Sequence, residues 1–134
     1  MIIHPEDWPL GLETGNPAMD EQLGFLLGLL RELEQSRPHE GRQAVMDILS
    51  DLLELAATHF EDEEELMDEA GWPGLARHEG LHAEFLWKAG DLQARLKAED
   101  AAIPYEEFKS LLHWMVAHIR VDDLAFFAGA SSRG

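Results

Sequence analysis

The chain has 134 residues, the size of one domain with a single core; it carries a formal charge of −17 and contains no cysteine. The charge excludes binding to polyphosphate backbones, so no nucleic-acid partner is expected, and the lack of cysteine excludes disulfides and thiolate metal sites. Any metal held by this chain is held through nitrogen and oxygen.

Residues 1–16 read as an irregular arm with Trp8, Pro9, Gly11 and Gly15. The arm lacks the basic flank and apolar stretch of a secretory signal. No later segment approaches the ~20 apolar residues of a membrane span, so a soluble, cytoplasmic protein is expected. Asn16 before Pro17 predicts a helix start, a capping side chain followed by proline in the first turn. Met19, Leu23, Leu26, Leu27, Leu30 and Leu33 then recur at spacings of three and four, which predicts a first helix from about Pro17 to Gln35.

Ser36-Arg37-Pro38 ends it. A second stripe at Val45, Ile48, Leu49, Leu52, Leu55 and Phe60 predicts the longest helix, continuing to about Ala70 before Gly71-Trp72-Pro73-Gly74. A third helix is predicted from about Gly74 to Lys97 through His78, His82, Phe85, Leu92 and Leu96. The fourth starts near Pro104 and turns Phe108, Leu111, Leu112, Met115, Ile119 and Phe126 inward. The tail, from about 129 to 134, is expected to be loose. Amphipathic helices with short connections favour antiparallel neighbours, and the fold class expected is all-α, an up-down-up-down four-helix bundle over 1–134.

Four histidines sit on the core faces of these helices. On a helix, residues four apart lie one turn above each other, so His59 with Glu63, and His78 with His82, can each direct two donors at one metal. His59 follows Leu55 by four residues, His82 precedes Phe85 by three, and His118 follows Met115 by three. A lone core histidine is more often hydrogen-bonded than metal-bound. Four imidazoles buried together with a carboxylate would cost several kcal/mol without partners, at about 1–3 kcal/mol for each unsatisfied group, and a metal offsets that cost. On the fourth helix, spacing alone favours Asp122, four residues after His118. A π-type bulge would instead bring Asp123, five residues on, to the same face.

The acidic run from Glu61 to Glu65, with Asp68 and Glu69, reads as a solvated face apart from Glu63. His4, His39 and His113 read as incidental surface residues. Trp114, Met115, Leu66 and Met67 read as core, able also to wall a dry pocket. Imidazole and carboxylate donors suit iron, manganese or zinc. Six protein ligands exceed a four-coordinate zinc site, and two carboxylates able to bridge support two metals.

The motifs W8, T14-G-N-P-A-M-D20-E-Q, H59-F-E-D-E63-E-E-L-M67, G71-W-P-G, H78-E-G-L-H82-A-E-F85 and W114-M-V-A-H118-I-R-V-D-D123 cover nearly the whole chain in order. In this the chain resembles the hemerythrins, single-domain bacteriohemerythrins in particular. The resemblance implies a cofactor of two non-haem irons with an oxo or hydroxo bridge. His78, His82 and His118 would bind one iron, His59 the other, and Glu63 and Asp123 would bridge them. The family's second iron takes a further histidine from the first helix, where this chain has Leu23. Water or an added ligand could fill that gap, a carboxylate such as Asp20 or Asp62 could swing in, or the second metal could bind weakly or not at all.

The leading expectation is a non-haem diiron protein that binds dioxygen, or a similar small diatomic or peroxide ligand, for storage, delivery or sensing. The first alternative is a peroxidase-like or oxidase-like centre at an iron opened by the loss of the histidine. The second is a metal-depleted bundle acting as an interaction module. No constellation of general acids and bases shaped around a substrate is visible, which favours ligand binding over catalysis.

Overall fold

The structure, a computed structural model, describes residues 13–35, 41–98 and 105–133, without the side chains of 105 and 129–133. Most of the arm, and with it Trp8 and His4, lies outside the described residues, as does His39. The elements are α1 (Pro17–Glu34), α2 (Arg42–Glu69), α3 (Leu75–Lys97), α4 (Tyr105–His118), a π turn (Ile119–Asp123) and α5 (Leu124–Arg133). No strand occurs among the described residues, and the helices form a four-helix bundle in which α4, the π turn and α5 make up the fourth member. No helix is long and apolar enough to cross a membrane.

The predicted boundaries agree with the structure to within about one residue. Asn16 caps α1, its side chain accepting from the Met19 amide at 3.2 Å, with Pro17 at the first helical position. Gly71, at φ +65°, ends α2 in the left-handed region that favours glycine, and the Trp72 amide closes back on the Met67 carbonyl at 2.9 Å. One expectation needs correcting: α5 continues to Arg133, through the stretch from Gly129 that the sequence alone predicts to be loose. Its apolar start, with Phe126 and Phe127 buried, anchors the helix that runs on into the tail.

Around the bundle, α1 packs on α2 and α4, and α2 packs on α3. The apolar interior divides into two parts. The larger one includes Leu23, Leu26, Leu52, Ala56, Phe60, Phe85, Met115 and Ile119; the smaller one consists of Met19, Met67, Phe126 and Phe127 with Trp72 against it. On α2, His59 and Glu63 fall between Ala56 of the larger cluster and Met67 of the smaller. Both clusters shield that level from water, which is where buried polar groups most need partners.

Candidate metal centre

His59, Glu63, His78, His82, His118 and Asp123 are all buried, none more than 3% exposed. The π turn settles which aspartate faces inward. By adding a residue to the turn it carries Asp123 onto the core face, with its Oδ1 2.9 Å from His78 Nε2 and 3.0 Å from His118 Nε2. Asp122 is not wasted: at the ordinary spacing of four it accepts from the other nitrogen of the same ring, His118 Nδ1, at 3.0 Å.

Five donor groups, from Glu63, His78, His82, His118 and Asp123, lie within 4.8 Å of one another. Glu63 Oε1 is 2.7 Å from His78 Nε2 and 3.2 Å from His82 Nε2, and the Nε2 atoms of His82 and His118 are 3.1 Å apart. Donors at right angles around a metal about 2.1 Å away would be about 3.0 Å from one another, so these separations match the edges of a coordination octahedron.

The protons point to the same reading. His82 Nδ1 donates to Glu64 Oε2 at 2.6 Å and His118 Nδ1 donates to Asp122 Oδ2, so in the neutral rings both Nε2 atoms present lone pairs. Two lone pairs facing each other at 3.1 Å call for a cation between them.

A second position lies next to the first. Two buried side-chain atoms have no hydrogen-bond partner among the described residues, His59 Nε2 and Glu63 Oε2, and they face each other at 3.6 Å. His59 Nδ1 meets Gln22 Oε1 at 2.7 Å, which places the ring proton on Nδ1 and leaves Nε2 as a lone pair. Leaving both atoms unpaired would cost about 1–3 kcal/mol each, and a metal ion between them removes that cost. The residues present therefore fit a second cation held by His59 and Glu63.

Leu23 is wholly buried in the larger apolar cluster. The two carboxylates considered as substitutes have other work. Asp20 accepts from the Thr14 amide and hydroxyl at 2.9 and 2.7 Å and from the Gly15 amide, and Asp62 accepts from Gln22 Nε2 at 2.8 Å.

Burial and the paired carboxylates set the ionisation of the metal-free cluster. Burial pushes His59 down, and it pushes His82 down to about 4 in spite of Glu64. Burial also opposes the charged form of His78, but its hydrogen bonds to Asp123 and Glu63 outweigh that and lift the ring to about 9. Asp123 is held below the usual carboxylate range, where burial is overcome by His118 and His78, while burial raises Glu63. In the absence of metal the His78 imidazolium thus supplies the positive charge between the two carboxylates. Because its folded value of about 9 lies above the ordinary 6.5, its stabilisation is fully present below pH 6.5 and is lost as pH rises through 9. The raised Glu63 acts in the same direction. The melting temperature of the chelated chain should therefore fall between pH 6.5 and 9, whereas the metal-loaded chain, with His78 already deprotonated, should stay level. Thermal melts across that window check this, and a level profile in chelator would contradict it.

Several polar partners escape the sequence pattern. Glu64 and Asp62 belong to the acidic run that reads as a solvated face, and they instead hold His82 and Gln22. Arg77 donates to Asp122 at 2.7 Å, behind His118. The available signal was position: Asp62 and Glu64 flank Glu63 and so border the ligand face of α2. His113 is exposed, as expected, while Trp114 stacks on His118 at a centroid distance of 4.8 Å, and Phe60 stacks on His82 at 3.9 Å.

The family model described as "Hemerythrin HHE cation binding domain" matches residues 18–130. The chain belongs to the hemerythrin HHE family. It is 31% identical over 121 residues to a bacteriohemerythrin of Stenotrophomonas maltophilia (strain R551-3), covering 89% of this chain and 77% of the relative. It is 28% identical, with the same coverage, to a bacteriohemerythrin of Pseudomonas aeruginosa (strain LESB58). It is also 27% identical to a myohemerythrin of Theromyzon tessulatum over 93% of both chains. No solved structure matches the chain significantly.

Proposed function

We propose that this chain holds two non-haem irons in the bundle core and binds dioxygen or a similar small ligand there, for storage, delivery or sensing. His78, His82 and His118 would hold one iron and His59 the other, with Glu63 and Asp123 spanning both. The observation that carries the reading is the unpartnered pair His59 Nε2 and Glu63 Oε2 beside the five-donor cluster, because it asks for a second cation that shares Glu63 with the first. Bound there, the irons would supply reversible one-electron chemistry and an open coordination position. The chain's own part is to hold the donors as lone pairs and keep water out. Glu64, Asp122 and Gln22 keep protons on the outer ring nitrogens, and Phe60 covers the site with apolar surface, stacked on His82.

The test is to expose the anaerobic ferrous chain to dioxygen and then remove it. A charge-transfer absorption band that appears and bleaches over repeated cycles supports ligand binding; permanent oxidation in the first cycle contradicts it.

A second reading, a peroxidase-like or oxidase-like centre, is favoured by Leu23, which cannot donate, and by the engagement of Asp20 and Asp62 elsewhere. An additional exchangeable position at the second iron would favour turnover over clean release. Steady-state peroxide consumption, compared with the Leu23→His variant, separates the two, since equal rates remove any special role for the open position.

A further inference from the structure

Although α1 has no donor at Leu23, it still reaches the centre through the preceding residue. Gln22 Oε1 accepts from His59 Nδ1 at 2.7 Å, and Gln22 Nε2 donates to Asp62 Oδ2 at 2.8 Å. The three side chains make one chain of hydrogen bonds running from the half-buried Asp62 to Nδ1 of His59, whose other nitrogen, the buried Nε2, has no hydrogen-bond partner among the described residues.

We propose that Asp62 and Gln22 are positioning residues for the second metal: α1 fixes the tautomer and aim of His59 instead of supplying a ligand of its own. This rests on the two-metal reading. The two ends of a glutamine side chain have nearly the same shape, so Gln22 could present either its oxygen or its NH2 to the imidazole. The Asp62 carboxylate only accepts, so it takes the NH2 and turns the oxygen toward His59. The oxygen in turn only accepts, so the imidazole proton stays on Nδ1 and the Nε2 lone pair faces Glu63 Oε2. A flipped amide would place the ring proton on Nε2, where it would block the metal. Asp62 therefore sets the polarity of the whole chain, and it does so from the α2 turn that also carries His59 and Glu63.

The relay predicts that Gln22→Leu weakens the second metal by about 10–100-fold and leaves the first unchanged, the usual cost of removing a partner behind a metal-bound histidine. The double variant Gln22→Glu with Asp62→Asn keeps every donor facing an acceptor. The amide introduced at position 62 donates to the carboxylate introduced at position 22, which accepts from His59 Nδ1. The double variant should restore binding to within a few-fold of the parent. Cobalt(II) titration of the chain, followed by its visible absorption, reads both affinities. Equal second-site affinity in Gln22→Leu and the parent, or no recovery in the double variant, overturns the proposal.

Nitrogen-15 NMR of His59 in the metal-free chain gives a second readout that a merely structural role would not move. The Nδ1–H form in the parent, converting to an Nε2–H form or a mixture in Gln22→Leu, supports the relay; the same tautomer in both overturns it. If the parent binds only one cobalt ion, the two-metal reading fails, and the NMR comparison alone decides whether the relay exists.

Discussion

Under the proposed two-metal reading, the Glu63→Gln substitution is expected to abolish binding of both metals and, at the same time, to raise the melting temperature of the chelated protein. The two oxygens of Glu63 face different histidines, Oε1 toward His78 and His82 and Oε2 toward His59. In metal-free protein it is a buried carboxylate with one unpaired oxygen opposite an unpaired nitrogen. The amide of Glu63→Gln can donate to His59 Nε2 and still accept from His78, which should recover about 1–3 kcal/mol and raise the melting point by a few degrees. With metal the same change is harmful, because a neutral amide cannot balance two cations. The loss of affinity should exceed the ~10–100-fold typical of losing an outer partner. Scanning calorimetry in chelator and metal analysis without it check the two halves. Retention of metal, or a lower melting point in chelator, would contradict this account of Glu63.

Leu23→His should show the opposite pattern. Leu23 is wholly buried among apolar side chains, so in chelator the variant should lose about 2–4 kcal/mol from lost apolar burial and an imidazole without partners. Once metal is present, the new nitrogen completes the second position and the loss is recovered through the linkage between binding and stability. The second-metal dissociation constant should fall by about tenfold or more, and the gain in melting temperature on adding metal should be larger than in the parent. If the variant remains destabilised with metal bound and its affinity is unchanged, residue 23 does not face the second position.

The fold was legible because each helix carries its own apolar stripe, with Asn16-Pro17 opening α1 and Gly71 closing α2. The central histidines and Glu63 were legible by register, since Phe85 and Met115 mark buried faces, although Leu55, the marker for His59, is itself only partly buried and the buried neighbour is Ala56. Asp123 was a harder case. Its position five residues after His118 is right only if the helix widens there, and no residue pattern fixes a π turn without the packing of α4 and α5 around it.

The outer partners were not legible. Asp62 and Glu64 are the same kind of residue as exposed Glu61 and Glu65, and only the arrival of α1 and α3 beside α2 gives them partners. Asp20 misled for a related reason. It lies one turn before Leu23, which suggested a substitute ligand, but Thr14 and Gly15, with Gly15 at φ +86°, fold back to occupy it. A contact made by a loop has no period to read.

The most direct test of a two-metal centre lacking an α1 ligand is the iron content of the chain after anaerobic loading with ferrous iron and desalting. The account predicts two irons per chain, the second lost first on dilution into chelator. One iron or none would show that the carboxylates and His59 do not hold a second metal without the nitrogen absent at Leu23.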